Sequence, residues 1–585
     1  MVEFRDVSER SGANSPTHST RGTKAAPPRS DTGTIVLHWL TVAAVLASLL
    51  TGLRIASDAR SAVVSKFLAP ALPQGEVWTA HFTAGVILIL AASAYAVYMA
   101  RARLAARIAP GRVRVLAMPS SSRLKWQGVN VVLHWAVYAA LLALGATGAA
   151  LYVGVGGGVV QVHSVLALAM LAYFVVHVFT HYMYGGLAQL LRLFRPAPLP
   201  SHLKAGRTPL LAGTAAGVLV AAGAVALDWG TRDMLRVPLV AEAPRLDGAL
   251  DDPAWRAVRP VSVRTMQGAN LGGTGESVVD IRAVRTADRI YFAFRWEDPT
   301  RSLRRLPVEK RQDGWHLVGA DAGSADVADF YEDKFAVIFA PRDDMGAGGV
   351  THLGPHPVPG KPPSLNDRGL HYTTDGSLID MWQWKSSRGG LLGLMDDMYI
   401  GPPKDPTPDE AARRARYQGG YWPDPGKGIY SYNFPFEGPG GYKGPITPKR
   451  LPKDLKAFQA AMGPVDIKNP DSSDPEAAVR WMWEDESEPY SAEADAKIPV
   501  GAILPGVILS GGNEGDRGDL TAGAKWADGH WTLEVSRKLA SDSPYDQSFE
   551  PGRPLYMWVT VFDHTQTRHT RHIRPVKLIV ESKTR

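Results

Sequence analysis

The chain has 585 residues and contains no cysteine. The absence of thiols excludes disulfides, thiolate metal sites, iron–sulfur clusters and covalently attached c-type haem. If this protein carries haem, the cofactor must be held without a covalent link.

The N-terminal region also lacks large apolar side chains. Residues 1–33 are rich in Ser, Thr, Pro and Arg, a composition typical of a disordered tail. The first apolar run starts only near Thr34, and no small-residue cleavage site precedes the second run. We therefore expect no cleavable signal peptide, and we expect the first apolar helix to act as an uncleaved anchor.

Five stretches are long and apolar enough to span a membrane, and they cover residues 34–55, 77–100, 129–153, 159–184 and 209–227. Two connecting loops lack acidic residues: 101–126 has seven Lys or Arg, and 185–208 has four. The positive-inside rule therefore predicts a cytoplasmic N-terminus and export of everything after Asp228. Because the net charge of +7 owes much to these loops, it does not indicate nucleic-acid binding.

His163 and His177 are fourteen residues apart in the fourth apolar stretch. This separation returns to nearly the same face of a helix after four turns. At a rise of about 1.5 Å per residue, the two imidazoles lie roughly 21 Å apart, most of the apolar thickness of a bilayer. A helix with one imidazole near each membrane surface is what a transmembrane wire of two haems requires.

Two further histidines match these depths. His81 lies four residues into the second stretch and enters from the outside, like His163. His38 lies near the cytoplasmic face, which His177 approaches at the end of its helix. Since ionisable residues inside membrane spans default to function, we expect His81 and His163 to ligate an outer haem, and His38 and His177 an inner haem.

His134 and His181 allow alternatives at the inner level. The segment 132–135 repeats 36–39 ninety-six residues later, so the first and third helices resemble a duplicated unit. His134 could replace His38 as a ligand, or it could pack beside the haem propionates. His181 could donate a hydrogen bond to a propionate or a quinone, or it could be a plain interfacial residue.

Residues 34–186 resemble the bacterial di-haem cytochrome b family, the b-561 type that includes membrane subunits of nickel–iron hydrogenase and formate dehydrogenase. The matching residues are the His38-Trp39 pair, His81 and the His163/His177 pair. The resemblance implies a four-helix haem bundle that passes electrons between quinone and a partner. Residues 187–208 would then be a cytoplasmic linker, and 209–228 a fifth helix that tethers the exported part.

Residues 235–585 change to alternating apolar residues with Trp, Gly, Pro and Asp, which predicts an all-β sandwich. The clearest strands are 278–283, 290–296, 334–339, 531–535 and 555–561. A long irregular insertion is expected at about 386–499, with short helical patches such as 408–417.

The exported part resembles the ethylbenzene-dehydrogenase-type haem-binding domain, the gamma subunit of the DMSO reductase family, and related family 9 carbohydrate-binding modules. The resemblance rests on motifs at 246–255, 267–270, 296–300, 380–385, 526–531 and 562–563. It implies a third haem b between a methionine and a lysine, here Met266 and Lys385. A desolvated lysine can bind iron as a neutral amine. Lysine more often extends to water, however, and methionine more often fills a core.

Other histidines leave the ligands of the third haem undecided. A histidine could replace either ligand, the candidates being His352, His371 and His564. The cluster of His564, His569 and His572 is expected to be a solvated strand end. His352 and His356 lie in a Pro-rich loop and fit no zinc spacing.

We therefore expect a multi-pass cytochrome b of a bacterial inner membrane with a periplasmic C-terminal domain. It would carry electrons between the quinone pool and a periplasmic oxidoreductase or soluble cytochrome c, through two transmembrane haems and a third exported haem. No catalytic constellation and no molybdopterin, flavin or nucleotide motif stands out. The alternative is that the sandwich binds a sugar or another ligand, or docks a subunit, without haem.

Overall fold

The computed structural model describes residues 27–57, 62–198, 207–319, 330–345, 353–354, 356, 371–405, 419–435, 444–462 and 481–582. All five predicted apolar stretches form helices long enough to cross a membrane. They are α1 (Thr32–Ala56), α2 (Val77–Arg101), α3 (Ser122–Tyr152), α4 (Gly158–Leu190) and α5 (Arg207–Gly230).

The helices pack as two pairs with one added helix. α1 lies against α2, and α3 lies against α4. Leu49 and Leu53 of α1 meet Leu171 and Phe174 of α4, which joins the two pairs. This arrangement brings the histidine-bearing faces of α2 and α4 towards a common centre.

α5 packs closely against α2 and is more than a tether. An ideal Cβ at Gly213 would lie 2.6 Å from the carbonyl oxygen of Ala94 on α2. One turn later, a Cβ at Gly217 would lie 2.6 Å from the carbonyl oxygen of Leu90. Small residues allow helices to approach at backbone distance, so these two glycines hold α5 against α2.

The part of the chain that follows α5 forms a sandwich of two sheets. Its strands in chain order are β1 (Met234–Val237), β2 (Val261–Thr265), β3 (Ser277–Arg285), β4 (Arg289–Glu297), β5 (Lys334–Ala340), β6 (Ile379–Lys385), β7 (Asp396–Ile400), β8 (Tyr421–Pro423), β9 (Thr521–Ala527), β10 (His530–Lys538), β11 (Leu555–Phe562) and β12 (Val576–Val580). One sheet has the order β8-β7-β6-β5-β11-β12-β1, and the other has the order β9-β10-β4-β3-β2. The five strands predicted from alternation are confirmed within β3, β4, β5, β10 and β11.

The core between the sheets is aromatic. Phe292 of β4 and Phe339 of β5 meet across the gap with ring centroids 5.3 Å apart. Trp296 and Trp384 are 5.9 Å apart in the same layer. These side chains are fully buried, because alternate residues of facing strands point into one core.

The insertion was predicted at 386–499, but this range begins too early. β7 and β8 lie inside that range, yet both belong to the seven-stranded sheet. The later part contains short pairings of its own, which are Tyr430–Tyr432 with Val507–Leu509, Met482–Trp483 with Val507–Leu509, and Arg450–Pro452 with Ser487–Pro489. It also contains a helix over Leu455–Met462 and a separate hydrophobic core. The predicted helical patch at 408–417 lies outside the described residues.

A buried carboxylate ties the start of the sandwich to β10. Glu534 accepts hydrogen bonds from the backbone N–H groups of Asp247 (3.0 Å) and Gly248 (2.6 Å) and from the indole of Trp255 (2.6 Å). The chain turns at Gly248 with φ +75°, where a Cβ would lie 2.5 Å from the backbone nitrogen of Lys525. The motif at 246–255 is therefore a structural clip.

Replacing Glu534 with Gln should destabilise the sandwich. The amide NH₂ group would replace one of the two accepting oxygens, so either the backbone N–H groups or the Trp255 indole would lose their acceptor, which costs about 1–3 kcal/mol. Thermal unfolding should show a lower Tm than for the control Asp280→Asn, a half-buried strand position where asparagine can still accept the hydrogen bond from Ser262. Equal Tm values for the two variants would contradict the clip.

Candidate functional site

His81 of α2 and His163 of α4 face each other. Their ring centroids are 6.4 Å apart and the ring planes are inclined by 83°. The two histidines lie near the helix ends that contact the sandwich, where Gly157 donates its N–H to Glu276 at 2.7 Å. The pairing and shared depth that we expected are therefore present in the structure.

Two threonines hold these rings by their Nδ1 atoms. The Thr147 hydroxyl donates to the carbonyl of Ala143 at 2.7 Å, so its oxygen is the acceptor for Nδ1–H of His163 at 2.9 Å. On the other pair of helices, Thr51 contacts Nδ1 of His81 at 3.1 Å. The same Nδ1 also donates to the carbonyl of Ser48 at 3.0 Å. Both rings thus carry their proton on Nδ1, which leaves the Nε2 lone pair available to a metal.

A glycine next to each threonine makes room for the ring. An ideal Cβ at Gly52 would lie 2.9 Å from Cε1 of His81, and one at Gly148 would lie 3.4 Å from Cε1 of His163. Our sequence reasoning missed these residues, although a signal exists. The Thr-Gly dipeptide recurs at an offset of ninety-six residues, as the His-Trp dipeptide does, so both halves of the bundle carry the same support.

A second histidine cluster lies further along α4. The ring of His177 is 4.6 Å from that of His181 and 5.5 Å from that of His134 on α3. Nδ1 of His134 donates to the carbonyl of Asn130 at 2.6 Å, and Nδ1 of His177 lies 3.0 Å from the hydroxyl of Tyr173. This cluster lies at the second histidine level that the fourteen-residue spacing predicts, and its assignment to an inner haem stays a prediction.

His38 lies at the edge of this cluster. Its ring meets Trp39 edge-on, with centroids 5.7 Å apart. His177 is within electrostatic reach of both His38 and His134. Among the described residues, however, His134 rather than His38 makes the ring contact with His177. The partner of His177 at the inner level therefore stays a prediction with two candidates.

Met266 lines a cavity of about 320 Å³ between the bundle and the sandwich. The cavity is bounded by Tyr152 of α3 and by Arg264, His572 and Arg574 of the sandwich domain. Arg574 fixes this junction, because its guanidinium donates to the hydroxyl (2.9 Å) and carbonyl (3.1 Å) of Thr231 and lies over the ring of Tyr152.

The structure does not bring Met266 and Lys385 together. Met266 pairs with Arg571, whose segment runs beside β11 through the hydrogen bond from Thr570 to Val561. Lys385 ends β6, which lies two strands away on the opposite side of β11. The two residues are separated by four strand spacings, which is about 19 Å. This distance is far larger than the separation of the two axial ligands of one iron.

Lys385 is also engaged elsewhere. It forms a buried ion pair with Asp396, whose other oxygen pairs with Arg517 at 2.7 Å. Burial alone would lower the pKa of Lys385, but the Asp396 carboxylate outweighs burial and raises it. The side chain is therefore an ammonium group, not the neutral amine that iron requires. As a pair, Met266 and Lys385 do not fit the haem that the resemblance implies.

The remaining histidines are not a solvated strand end, as we had expected. His564 and His572 are buried, and burial next to Arg574 lowers the pKa of His572 to about 3. Half-buried His569 and His371 meet through their Nε2 atoms at 3.2 Å. Loop packing against the seven-stranded sheet removes these rings from water. His352 lies outside the described residues, and the backbone N–H of His356 bonds to Gln74 (2.7 Å).

Apolar helices that carry facing imidazoles with a free Nε2 define a membrane-bound b-type cytochrome. A family described as prokaryotic cytochrome b561 matches residues 29–195, and a family described as ethylbenzene dehydrogenase matches residues 252–574. The second match spans more than half of the chain, so the protein belongs to the ethylbenzene dehydrogenase family and carries a cytochrome b561 domain before it.

No curated protein matches the chain. Two solved structures similar to it are a family 9 carbohydrate-binding module from Caldicellulosiruptor kristjanssonii with glucose and with cellotriose. They are 7% and 8% identical, cover 60% of this chain and 96% and 94% of their own, and have TM-scores of 0.21 and 0.22. Likenesses with TM-scores this low carry no conclusion about this protein.

Replacing Lys385 with Met should leave the haem content of the full chain unchanged, because the ammonium is committed to Asp396. Stability should fall by roughly 1–3 kcal/mol, since Asp396 loses its buried ammonium partner and keeps only Arg517 and the Tyr430 hydroxyl. Pyridine haemochrome and thermal unfolding measure both quantities, with Lys427→Met at an exposed ion pair as the control. Loss of about one haem per chain would show instead that Lys385 leaves Asp396 and binds iron.

Proposed function

We propose that this cytochrome carries electrons between the quinone pool and a periplasmic redox partner across a bacterial inner membrane. The main support is the facing pair of His81 and His163, in which each Nδ1 is hydrogen-bonded and each Nε2 is available to bind iron. We assign this pair to an outer haem b, and His177 to an inner haem b with either His38 or His134 as its partner. When bound, haem supplies one-electron chemistry at each level.

The inner histidines support a site that receives electrons from a quinol. His181 adjoins His177, and Arg192 is within electrostatic reach of His38, His177 and His181. A guanidinium at this depth suits a haem propionate, and a neutral imidazole can take a proton from a quinol hydroxyl. We assign these roles to Arg192 and His181.

The exported sandwich covers the outer pair and forms the exit towards the partner. Trp78, three residues before His81, lies under the guanidinium of Arg571 at 5.4 Å. Arg571 in turn pairs with Met266, so packed groups connect the outer level with the interior of the sandwich. A soluble cytochrome c or a periplasmic oxidoreductase is the partner we propose. We place no electron-transfer step on a third haem, because Met266 and Lys385 do not fit one.

The buried aromatic core argues against a sugar-binding sandwich. Trp296, Trp382, Trp384 and Trp531 are fully buried between the sheets and cannot stack on a ligand. Electron transfer therefore accounts for more of the described residues than ligand capture does.

Histidine substitutions test the ligand assignment. His163→Ala should remove the outer haem and lower the haem content from about two per chain to about one, and His177→Ala should do the same at the inner level. His38→Ala and His134→Ala then identify the partner of His177, since only the variant that lacks the true ligand should lose the inner haem. Pyridine haemochrome and quinol-driven reduction of the α band provide the readouts. Full haem content in both the His163 and His177 variants would overturn the assignment.

Thr147→Val should weaken binding of the outer haem without abolishing it. Valine keeps the shape but removes the acceptor that orients His163, and such supports are worth about 10–100-fold in metal affinity. Haem transfer to apomyoglobin measures the change. The control is Thr41→Val, because the Thr41 hydroxyl contacts only the carbonyl of Leu37 (2.8 Å) among its described hydrogen bonds. Equal haem retention in the two variants would argue against an orienting role for Thr147.

A further inference from the structure

A group of aspartates surrounds one buried arginine between the two sheets. Arg537 of β10 is fully buried. Its Nη1 lies 2.8 Å from Asp380 of β6, 3.0 Å from Asp546 and 3.6 Å from Asp397 of β7. The ligand oxygens of these three aspartates lie within 4.8 Å of one another. We call this group, together with Asp424 and Asp519, the aspartate cluster.

Asp424 lies next to Asp397, and its carboxylate has no hydrogen-bond partner among the described residues. Its residue is only 2% exposed, and its backbone N–H donates to the carbonyl of Asp397 at 3.0 Å. Within the described part of the chain, neither carboxylate oxygen of Asp424 receives a hydrogen bond. It interacts electrostatically with Asp546, Asp380 and Asp519. A buried carboxylate in this position requires a positive charge or a proton.

Further oxygens in the aspartate cluster are also unsatisfied. Among the described residues, Asp380 Oδ1, Asp397 Oδ2 and Asp519 Oδ1 accept no hydrogen bond. The carboxyl groups of Asp397 and Asp519 nevertheless lie within hydrogen-bonding distance of each other. Two carboxylates approach this closely only when a cation or a proton lies between them.

One guanidinium cannot neutralise five carboxylates. Arg537 already serves Asp380 and Asp546 and also donates to the carbonyl of Gln547. Asp397, Asp424 and Asp519 therefore supply the excess negative charge. All potential metal ligands in the cluster are carboxylate oxygens. Such ligands favour a hard cation over zinc or copper.

We propose that the aspartate cluster binds one Ca²⁺ ion, with Asp397, Asp424 and Asp519 as its principal ligands. Calcium accepts six to eight oxygens at about 2.3–2.6 Å in flexible geometry. Asp397, Asp424 and Asp519 are the choice because each has a buried carboxylate oxygen that accepts no hydrogen bond among the described residues. Mg²⁺ fits less well because it demands near-ideal octahedral geometry and keeps several waters.

The bound ion joins parts of the chain that are far apart in sequence. Asp397 belongs to β7, Asp424 follows β8, and Asp519 precedes β9 of the opposite sheet. The ion therefore links the two sheets across the start and the end of the inserted region. Its role is structural, and it is independent of the haem assignment.

Calcium binding can be tested on the full chain in detergent. Protein stripped with EGTA should take up about one Ca²⁺ per chain by isothermal titration and by elemental analysis. Its Tm should rise by several degrees in excess Ca²⁺ relative to EGTA, because an ion that binds only the folded state stabilises it. Tb³⁺ offers a second readout on the unmodified chain, since Trp422 can sensitise its luminescence and Ca²⁺ should displace it.

Asp424→Asn provides the matched variant, with Asp280→Asn as the control. The first should lose both the Ca²⁺-dependent rise in Tm and the Tb³⁺ signal, and the control should keep both. If the unmodified chain shows no Ca²⁺ uptake and the same Tm in Ca²⁺ and EGTA, protons neutralise the cluster and the proposal is wrong. A response that persists in Asp424→Asn places the ion elsewhere, and a preference for Mg²⁺ or Zn²⁺ overturns the choice of metal.

Discussion

The membrane half depends on a single constraint, which is that an imidazole inside apolar helices must have one nitrogen satisfied by the protein. Thr147 and Thr51 meet this requirement at the outer level, and Asn130 and Tyr173 meet it at the inner level. Each threonine hydroxyl first donates to its own helix, so only its acceptor capacity remains for the ring. Because each threonine oxygen can only accept from the ring, His81 and His163 carry their proton on Nδ1. Their Nε2 atoms are consequently presented to the centre of the bundle.

Much of this arrangement could be predicted from sequence. Helical periodicity and hydrophobic length determine where α1 to α5 run, and a spacing of fourteen residues determines that His163 and His177 share a face. Depth alone was enough to pair His81 with His163. Depth could not separate His38 from His134, because the repeated His-Trp motif places both at the same level. That choice depends on how α1 and α3 rotate about their axes, which no local pattern encodes.

The β-sandwich was harder to predict, for a physical reason. Alternation reveals strands, but the pairing of strands decides which charges meet. Lys385 finds Asp396 only because β6 and β7 are neighbours, and this contact changes a potential iron ligand into a structural ammonium. The insertion was misjudged in the same way, because β7 and β8 are short and are recognisable only beside β6.

The close contact of α5 with α2 has a mechanical consequence. Only three residues separate the end of α5 from β1, the edge strand of the seven-stranded sheet. Gly213 and Gly217 hold α5 against the same helix that carries His81, so the sandwich has little freedom to move relative to the bundle. The spacing between the bundle and the sandwich is thus held constant. Under the proposed function, electrons that leave the level of His81 and His163 would cross a fixed distance and would not depend on the motion of a tethered carrier.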